Sequence, residues 1–187
     1  MKTRLLAFAL LAAAASAADE ATLRAGVFEP ARAAPDFSLR GSDATELKLS
    51  RYRGKVVILE FGFSACSDVC PVTLAALAEA RRKLGAEGND LQVIYITVDP
   101  ERDDAERLRE YLAAFDPTFI GGTGHAEQLA AVRESYGVFA KAPEGESGFS
   151  HSSYTYLIDR AGKLRALMPF GHGSGDYVHD IRILLKQ

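Results

Sequence analysis

Apolar residues along the chain alternate between continuous runs and helix-spaced sets. The runs KVVILEFGF (55–63) and LQVIYITVDP (91–100) are rich in β-branched residues, which favours strands buried on both faces of a sheet. YTYLIDRAGKLRALMPF (154–170) predicts two further strands joined by a turn. Apolar residues at helical spacing predict helices over residues 71–84, 103–115, 125–136 and 176–186.

The order strand, helix, strand, helix, helix, hairpin, helix predicts an α/β fold. We expect a mixed sheet with helices on both faces and the hairpin at its edge. Asp103 and Glu106 are spaced as a capping box for the second helix, and GGTG (121–124) is typical of a turn. Residues 35–187 are expected to form one domain, preceded by a flexible, Ala- and Pro-rich lead-in over residues 19–34.

The beginning of the chain indicates export. Lys2 and Arg4 precede an uncharged run over residues 5–18 that ends in small residues, so residues 1–18 predict a secretory signal peptide and a periplasmic protein. The run is shorter than the ~20 residues of a spanning helix. We therefore expect no strong membrane association after cleavage, with an uncleaved signal in the inner membrane as the alternative. The net charge of −3 and the lack of a basic cluster argue against nucleic acid, and we expect a monomer.

Both cysteines lie in FGFSACSDVCPVTL (61–74), separated by three residues, where the first helix is predicted to begin. Export places Cys66 and Cys70 where a disulfide can form. A bridge closing so short a loop would stabilise the fold little, so we expect the pair to serve chemistry. The positive end of the helix favours thiolates, which act equally as nucleophiles and as soft metal ligands. Both roles remain open at this spacing.

A copper site could be completed by one histidine. Cu(I) accepts two thiolates and one imidazole, whereas structural zinc usually has four ligands. His125 and His179 are typical of capping or surface positions, and His172 lies in a Gly-rich turn. His151 immediately precedes a predicted strand. If that strand pairs antiparallel with residues 55–63, its start lies beside the cysteines. A hydrogen-bonded loop histidine is the alternative interpretation of His151.

Two acidic residues lie near the same predicted edge. Asp99 ends the second strand at the carboxyl edge of the sheet, where α/β proteins commonly place sites, although a helix cap is the structurally favoured role. Asp68 lies between the cysteines, where it either tunes the pair or is solvated. Met168 is expected in the core.

Five segments occur in the order found in the Sco/SenC copper chaperones: FGFSACSDVCPVTL, TVDPERDDAERLREYLAAF, FIGGTG, VRESYGVF and HSSYTYLID. The chain resembles that family over residues 35–186. The resemblance implies a thioredoxin-like fold and copper, as Cu(I) or Cu(II), bound by Cys66, Cys70 and His151. It implies accessory roles for Asp99 and Asp68. It also implies that the protein delivers copper to, or prepares, the CuA centre of cytochrome c oxidase subunit II, or serves another exported copper protein.

Two departures from the family pattern remove no ligand. Ser67 stands where the family often has proline, and GFS precedes His151 where an acidic residue is common. The alternative function is a thiol–disulfide oxidoreductase acting through Cys66 and Cys70 on the CuA-site cysteines or other exported proteins. HSS (151–153) stands where thioredoxin-type enzymes usually have a proline, which favours metal binding. A peroxidase is disfavoured because its T-x-x-C pattern is missing.

Overall fold

The computed structural model describes residues 22–141 and 150–187, and the predicted signal peptide over residues 1–18 lies outside them. The described strands are β1 (Gly26–Ala33), β2 (Ser38–Gly41), β3 (Glu46–Lys48), β4 (Val56–Gly62), β5 (Leu91–Thr97), β6 (Ile120–Thr123), β7 (Ala140–Lys141), β8 (Ser150–His151), β9 (Tyr154–Ile158) and β10 (Lys163–Pro169). The described α-helices are α1 (Val69–Leu84), α2 (Ala105–Ala113), α3 (Ala126–Tyr136) and α4 (Ser174–Leu185). None of these helices is long and apolar enough to cross a membrane.

A mixed sheet of eight strands forms the centre of the fold, in the order β1-β10-β9-β4-β5-β6-β2-β3. β5 lies parallel to both β4 and β6, whereas β9 pairs antiparallel with β4. In that register Glu60 lies opposite Thr155. The start of β9 therefore lies beside the end of β4, immediately before the cysteines. This arrangement confirms the strand pairing that was expected to bring His151 to the cysteine segment.

Alternating side chains of β4 fill two apolar clusters, one on each face of the sheet. Val56 and Ile58 pack in one cluster with apolar residues of α1, α2 and α4. Val57 and Leu59 pack in the other, with apolar residues of α3. Full burial of one such side chain contributes roughly 1.5–3 kcal/mol. The prediction of a mixed sheet with helices on both faces is confirmed, and Met168 is buried as expected.

The expected flexible lead-in is wrong for residues 26–33, which form β1. This strand pairs antiparallel with β10, with Gly26 opposite Leu167, and its register shifts between Val27 and Arg32. Its residues are mostly exposed, so they carry no apolar alternation for a sequence pattern to show. Because β1 covers β10, the predicted hairpin lies inside the sheet and not at its edge, which is a second correction.

The predicted turn at GGTG is also wrong, because Ile120–Thr123 form β6. Gly121 lies against α2, and a Cβ atom there would come within 2.7 Å of the Leu108 Cβ atom. The glycine thus permits α2 to pack closely on the strand. A glycine pair reads as a turn signal, and the close helix that requires it is visible only in the tertiary structure.

Candidate metal centre

The cysteine segment connects the end of β4 to the start of α1. The amide of Cys66 donates to the carbonyl of Phe63 at 3.2 Å, which forms a turn ahead of the helix. Cys66 is half-buried in this segment, while Cys70 is fully buried in the first turn of α1. Both side chains are free thiols. One thiol therefore faces the surface and the other faces the core.

His151, in β8 just before β9, contacts Cys70, with 3.7 Å between Nε2 and Sγ. Nδ1 of the same ring lies 3.0 Å from the carbonyl oxygen of Ser152. Since a carbonyl can only accept, Nδ1 carries the proton, and Nε2 accepts from the Cys70 thiol. The Phe63 ring packs edge-on against the imidazole, with 6.0 Å between centroids. The nitrogen that faces the cysteine is therefore the one free to bind a metal.

The three predicted ligands do not form a complete metal site in the described residues. Among residues 22–141 and 150–187, no group of three or more His, Cys, Asp or Glu side chains is arranged to hold a metal ion. Cys66 packs partly buried against the clusters on both faces of the sheet. The Cys66 side chain also interacts with the Cys70 thiol, beside the contact between Cys70 and His151. Two sulfurs and one imidazole nitrogen form a donor set that fits Cu(I).

Burial dominates the electrostatics of Cys70. It raises the pKa of the thiol to about 12, the neighbouring Cys66 thiol adds to the increase, and Tyr95 opposes it. The expectation that the helix terminus produces a low-pKa thiolate is therefore wrong for Cys70. Desolvation of the charged form outweighs the helix dipole at this buried position. Copper binding would have to replace the Cys70 proton, which makes affinity depend on pH.

Asp99 lies buried at the end of β5, where it forms a pair with a neighbouring arginine. Arg102 donates through Nε to the Asp99 carboxylate, and the Asp99 amide donates to Thr97 Oγ1 at 2.9 Å. The cap of α2 is Asp104, which accepts from the Arg107 amide at 2.7 Å. The predicted capping box of Asp103 and Glu106 is thus wrong, and so is the cap role considered for Asp99.

Asp68 is exposed immediately before α1, and its side chain makes no capping hydrogen bond to that helix. The Asp68 side chain is therefore solvated, which was one of the two roles expected for it from the sequence. The solvated carboxylate stands at the surface between the two cysteines.

The other three histidines have partners outside the cysteine segment. The His125 amide donates to the Gln128 side chain at 3.2 Å, at the start of α3. His172 and His179 bond through Nδ1 to Asp176 and Asp180 of α4, at 3.0 and 2.9 Å. The capping and surface positions expected for His125 and His179 agree with these contacts.

A family model described as SCO1/SenC matches residues 27–186. The chain belongs to the SCO1/SenC family. It is 35% identical over 133 residues to the SCO2-like protein of Rickettsia conorii, a match that covers 68% of this chain and 65% of that protein. The chain thus spans slightly less than two thirds of the length of this relative.

Solved structures of other SCO1/SenC proteins share the fold. ScoI of Bradyrhizobium japonicum, solved with copper bound, has a TM-score of 0.75 and 30% identity, and covers 82% of this chain and 99% of its own. Apo Sco1 of Thermus thermophilus has a TM-score of 0.78 and 34% identity, and covers 88% of this chain and 98% of its own. The predicted thioredoxin-like fold is confirmed.

Sequence reasoning missed a buried carboxyl group in this SCO1/SenC protein. Glu60 lies on β4, on the same face as Ile58, and its Oε2 atom has no hydrogen-bonding partner among the described residues. Burial raises the pKa of Glu60 well above its ordinary value, and the charge of Cys66 adds to the increase. The available signal was a single acidic residue inside a run that is buried on both faces.

Gly62 is a second residue that the sequence did not select. A Cβ atom at Gly62 would lie 2.9 Å from Sγ of Cys70 and would collide with the hydroxyl of Tyr95 on β5. Since Cys70 and Tyr95 are both buried, neither has open space into which to retreat. Glycine at the end of β4 therefore makes the room in which the Cys70 thiol meets His151.

Proposed function

We propose that this SCO1/SenC protein is an exported metallochaperone that binds copper through Cys66, Cys70 and His151. The observation that carries the proposal is the 3.7 Å contact between Cys70 Sγ and His151 Nε2, two residues 81 positions apart. Soft thiolates together with an imidazole suit Cu(I), which accepts few ligands. The related ScoI of Bradyrhizobium japonicum is known with copper bound, which supports copper as the cargo.

The exposed side of the site favours transfer of copper over storage. Cys66 is half-buried and Asp68 is exposed, so a partner's thiolates or imidazoles can approach the metal and replace its ligands one at a time. The proposed recipient is the CuA centre of cytochrome c oxidase subunit II, or another exported copper protein in the periplasm. Asp99 and Asp68 are proposed as accessory residues for that exchange.

Anaerobic titration with Cu(I) tests the ligand set. The reduced protein should take up about one equivalent, and Cys66→Ala, Cys70→Ala and His151→Ala should each weaken binding by at least about tenfold, because each removes a ligand. His172→Ala is the matched control, since that imidazole bonds to Asp176. Lack of stoichiometric uptake by the wild type, or equal binding by Cys66→Ala, would overturn the proposal.

A second candidate function, thiol–disulfide exchange, is supported by the different exposure of the two free thiols. The Cys66 thiolate would attack a target disulfide and release one target thiolate, which takes up a proton. The Cys70 thiolate would then break the mixed disulfide, leaving the target reduced and Cys66 and Cys70 oxidised to a disulfide. A strongly reducing potential together with reductase activity that survives His151→Ala would favour this function over copper transfer.

A further inference from the structure

Asp103 is a fully buried carboxylate that is neither a proposed copper ligand nor one of the redox cysteines. Its Oδ2 atom accepts from the Ser64 amide at 2.9 Å and from Thr97 Oγ1 at 2.7 Å. Its Oδ1 atom accepts from Ser64 Oγ at 2.5 Å. Hydrogen bonds to an ionised acceptor are about twice as strong as neutral ones. Two of these three bonds hold the residue that lies two positions before Cys66.

The same carboxylate connects the cysteine segment to the loop that carries Asp99. Thr97 Oγ1 donates to Asp103 and accepts from the Asp99 amide at 2.9 Å. The Asp103 amide donates to the Asp99 carbonyl at 3.0 Å. Arg107, on the first turn of α2, donates through Nε to Ser64 Oγ at 3.1 Å. The end of β5, the start of α2 and the cysteine segment are thus joined at one buried charge.

We propose that Asp103 is a positioning residue for the copper site. Asp103 fixes Ser64, which lies inside the turn closed by the hydrogen bond from the Cys66 amide to the Phe63 carbonyl. By holding this turn, Asp103 sets where the Cys66 thiol lies relative to Cys70. Mutation of residues that orient metal ligands typically costs about 10–100-fold in metal affinity. The inference rests on the proposed copper function.

The neighbouring Asp104 provides a matched control. Both aspartates precede α2, but Asp104 is exposed and accepts from the Arg107 amide of its own helix. Asp104→Ala should therefore lower stability without disturbing Ser64. Asp103→Asn is the conservative variant, because its amide oxygen can still accept from the Ser64 amide and Thr97, while its NH₂ group can donate to Ser64 Oγ.

The test compares Cu(I) affinity and the Cu(II)–thiolate charge-transfer spectrum of these variants. We expect Asp103→Ala to lose about tenfold or more in affinity and to shift the spectrum, Asp103→Asn to recover most of both, and Asp104→Ala to match the wild type. If Asp103→Ala does not fold, Ser64→Ala and Thr97→Val carry the test, with smaller losses in the same sense. Folded variants with wild-type affinity and spectrum would overturn the inference.

Hydrogen exchange of the copper-free protein measures the positioning independently. The Ser64 amide should exchange at least about tenfold faster in Asp103→Ala than in Asp104→Ala, because it loses its charged acceptor. If the wild type bound no copper, the proposed function would fail, and this exchange result would still decide whether Asp103 holds the cysteine segment. Equal exchange in the two variants would show that it does not.

Discussion

At the scale of single residues, burial decides the chemistry around the proposed ligands. Cys70 lies in the first turn of a helix, where the dipole contributes about 0.3–1 kcal/mol to an exposed anion. Each pKa unit corresponds to about 1.4 kcal/mol, and burial raises the pKa of Cys70 to about 12. Desolvation therefore outweighs the dipole, and the two cysteines have different environments despite lying four positions apart.

This difference predicts an order of thiol modification. At about pH 8 and without copper, iodoacetamide should alkylate Cys66 well before Cys70. Cys70 is buried, and only a small fraction of its thiol is ionised at a pH below its raised pKa. Mass spectrometry of Cys66→Ala and Cys70→Ala separates the two rates. Faster alkylation of Cys70 would contradict the burial on which the site is built.

Glu60 should make stability depend on pH. Its pKa is raised in the folded protein, so the folded state keeps a proton that the unfolded chain loses above its ordinary value of 4.5. The stability contribution is thus fully present below that value and is lost as pH rises towards the folded pKa. Glu60→Gln should flatten the fall in unfolding free energy as pH rises above 4.5, as measured by urea denaturation.

The exposed Glu110 supplies the control for that measurement. Glu110→Gln makes the same chemical change at an exposed position and should leave the unfolding free energy close to that of the wild type. A wild-type curve with the same slope as the Glu60→Gln curve would show that Glu60 ionises in the folded protein as it does in the unfolded chain.

At the scale of elements, α4 fixes the approach of the chain to β1. The amides of Arg24 and Ala25 donate to the two carboxylate oxygens of the buried Asp180, at 2.8 and 2.9 Å. Asp180→Ala leaves both amides without these acceptors, and should lower the unfolding free energy by about 2–3 kcal/mol. Denaturation, together with faster hydrogen exchange at Ala25, measures the effect.

Asp176 is the matched control on the same helix. It pairs with the Arg24 side chain at 2.7 Å, but both partners are partly exposed, so Asp176→Ala should cost only about 0–1 kcal/mol. If the two substitutions were equally costly, the backbone bonds of Asp180 would not be what holds the segment before β1.

The elements that the sequence could predict are those with strong apolar patterns. β4 and β5 are continuous apolar runs, and α3 ends at Gly137, whose φ of 69° suits glycine. The sequence did not predict β1 because its residues face mostly solvent. It did not predict β6 because the glycine pair reads as a turn, whereas Gly121 is there to let α2 pack closely on the strand. These two features depend on what another segment places beside them, which a local pattern does not contain.

At the scale of the whole molecule, the fold brings distant residues of one site together. His151 could be predicted because antiparallel pairing of β9 with β4 places the start of one strand beside the end of the other. Glu60 and Asp103 could not, because an acidic residue in a strand or before a helix has many ordinary roles. Glu60 matters through its burial and Asp103 through its bonds to Ser64 and Thr97, which only the assembled structure shows.

The central claim is that one copper ion is bound by Cys66, Cys70 and His151 together. X-ray absorption at the copper edge, on protein loaded anaerobically with one equivalent of Cu(I), tests it most directly. The account predicts a first shell of two sulfurs and one imidazole nitrogen, with the imidazole signal lost in His151→Ala and retained in His172→Ala. A shell with fewer than two sulfurs, or one unchanged by His151→Ala, would contradict the account.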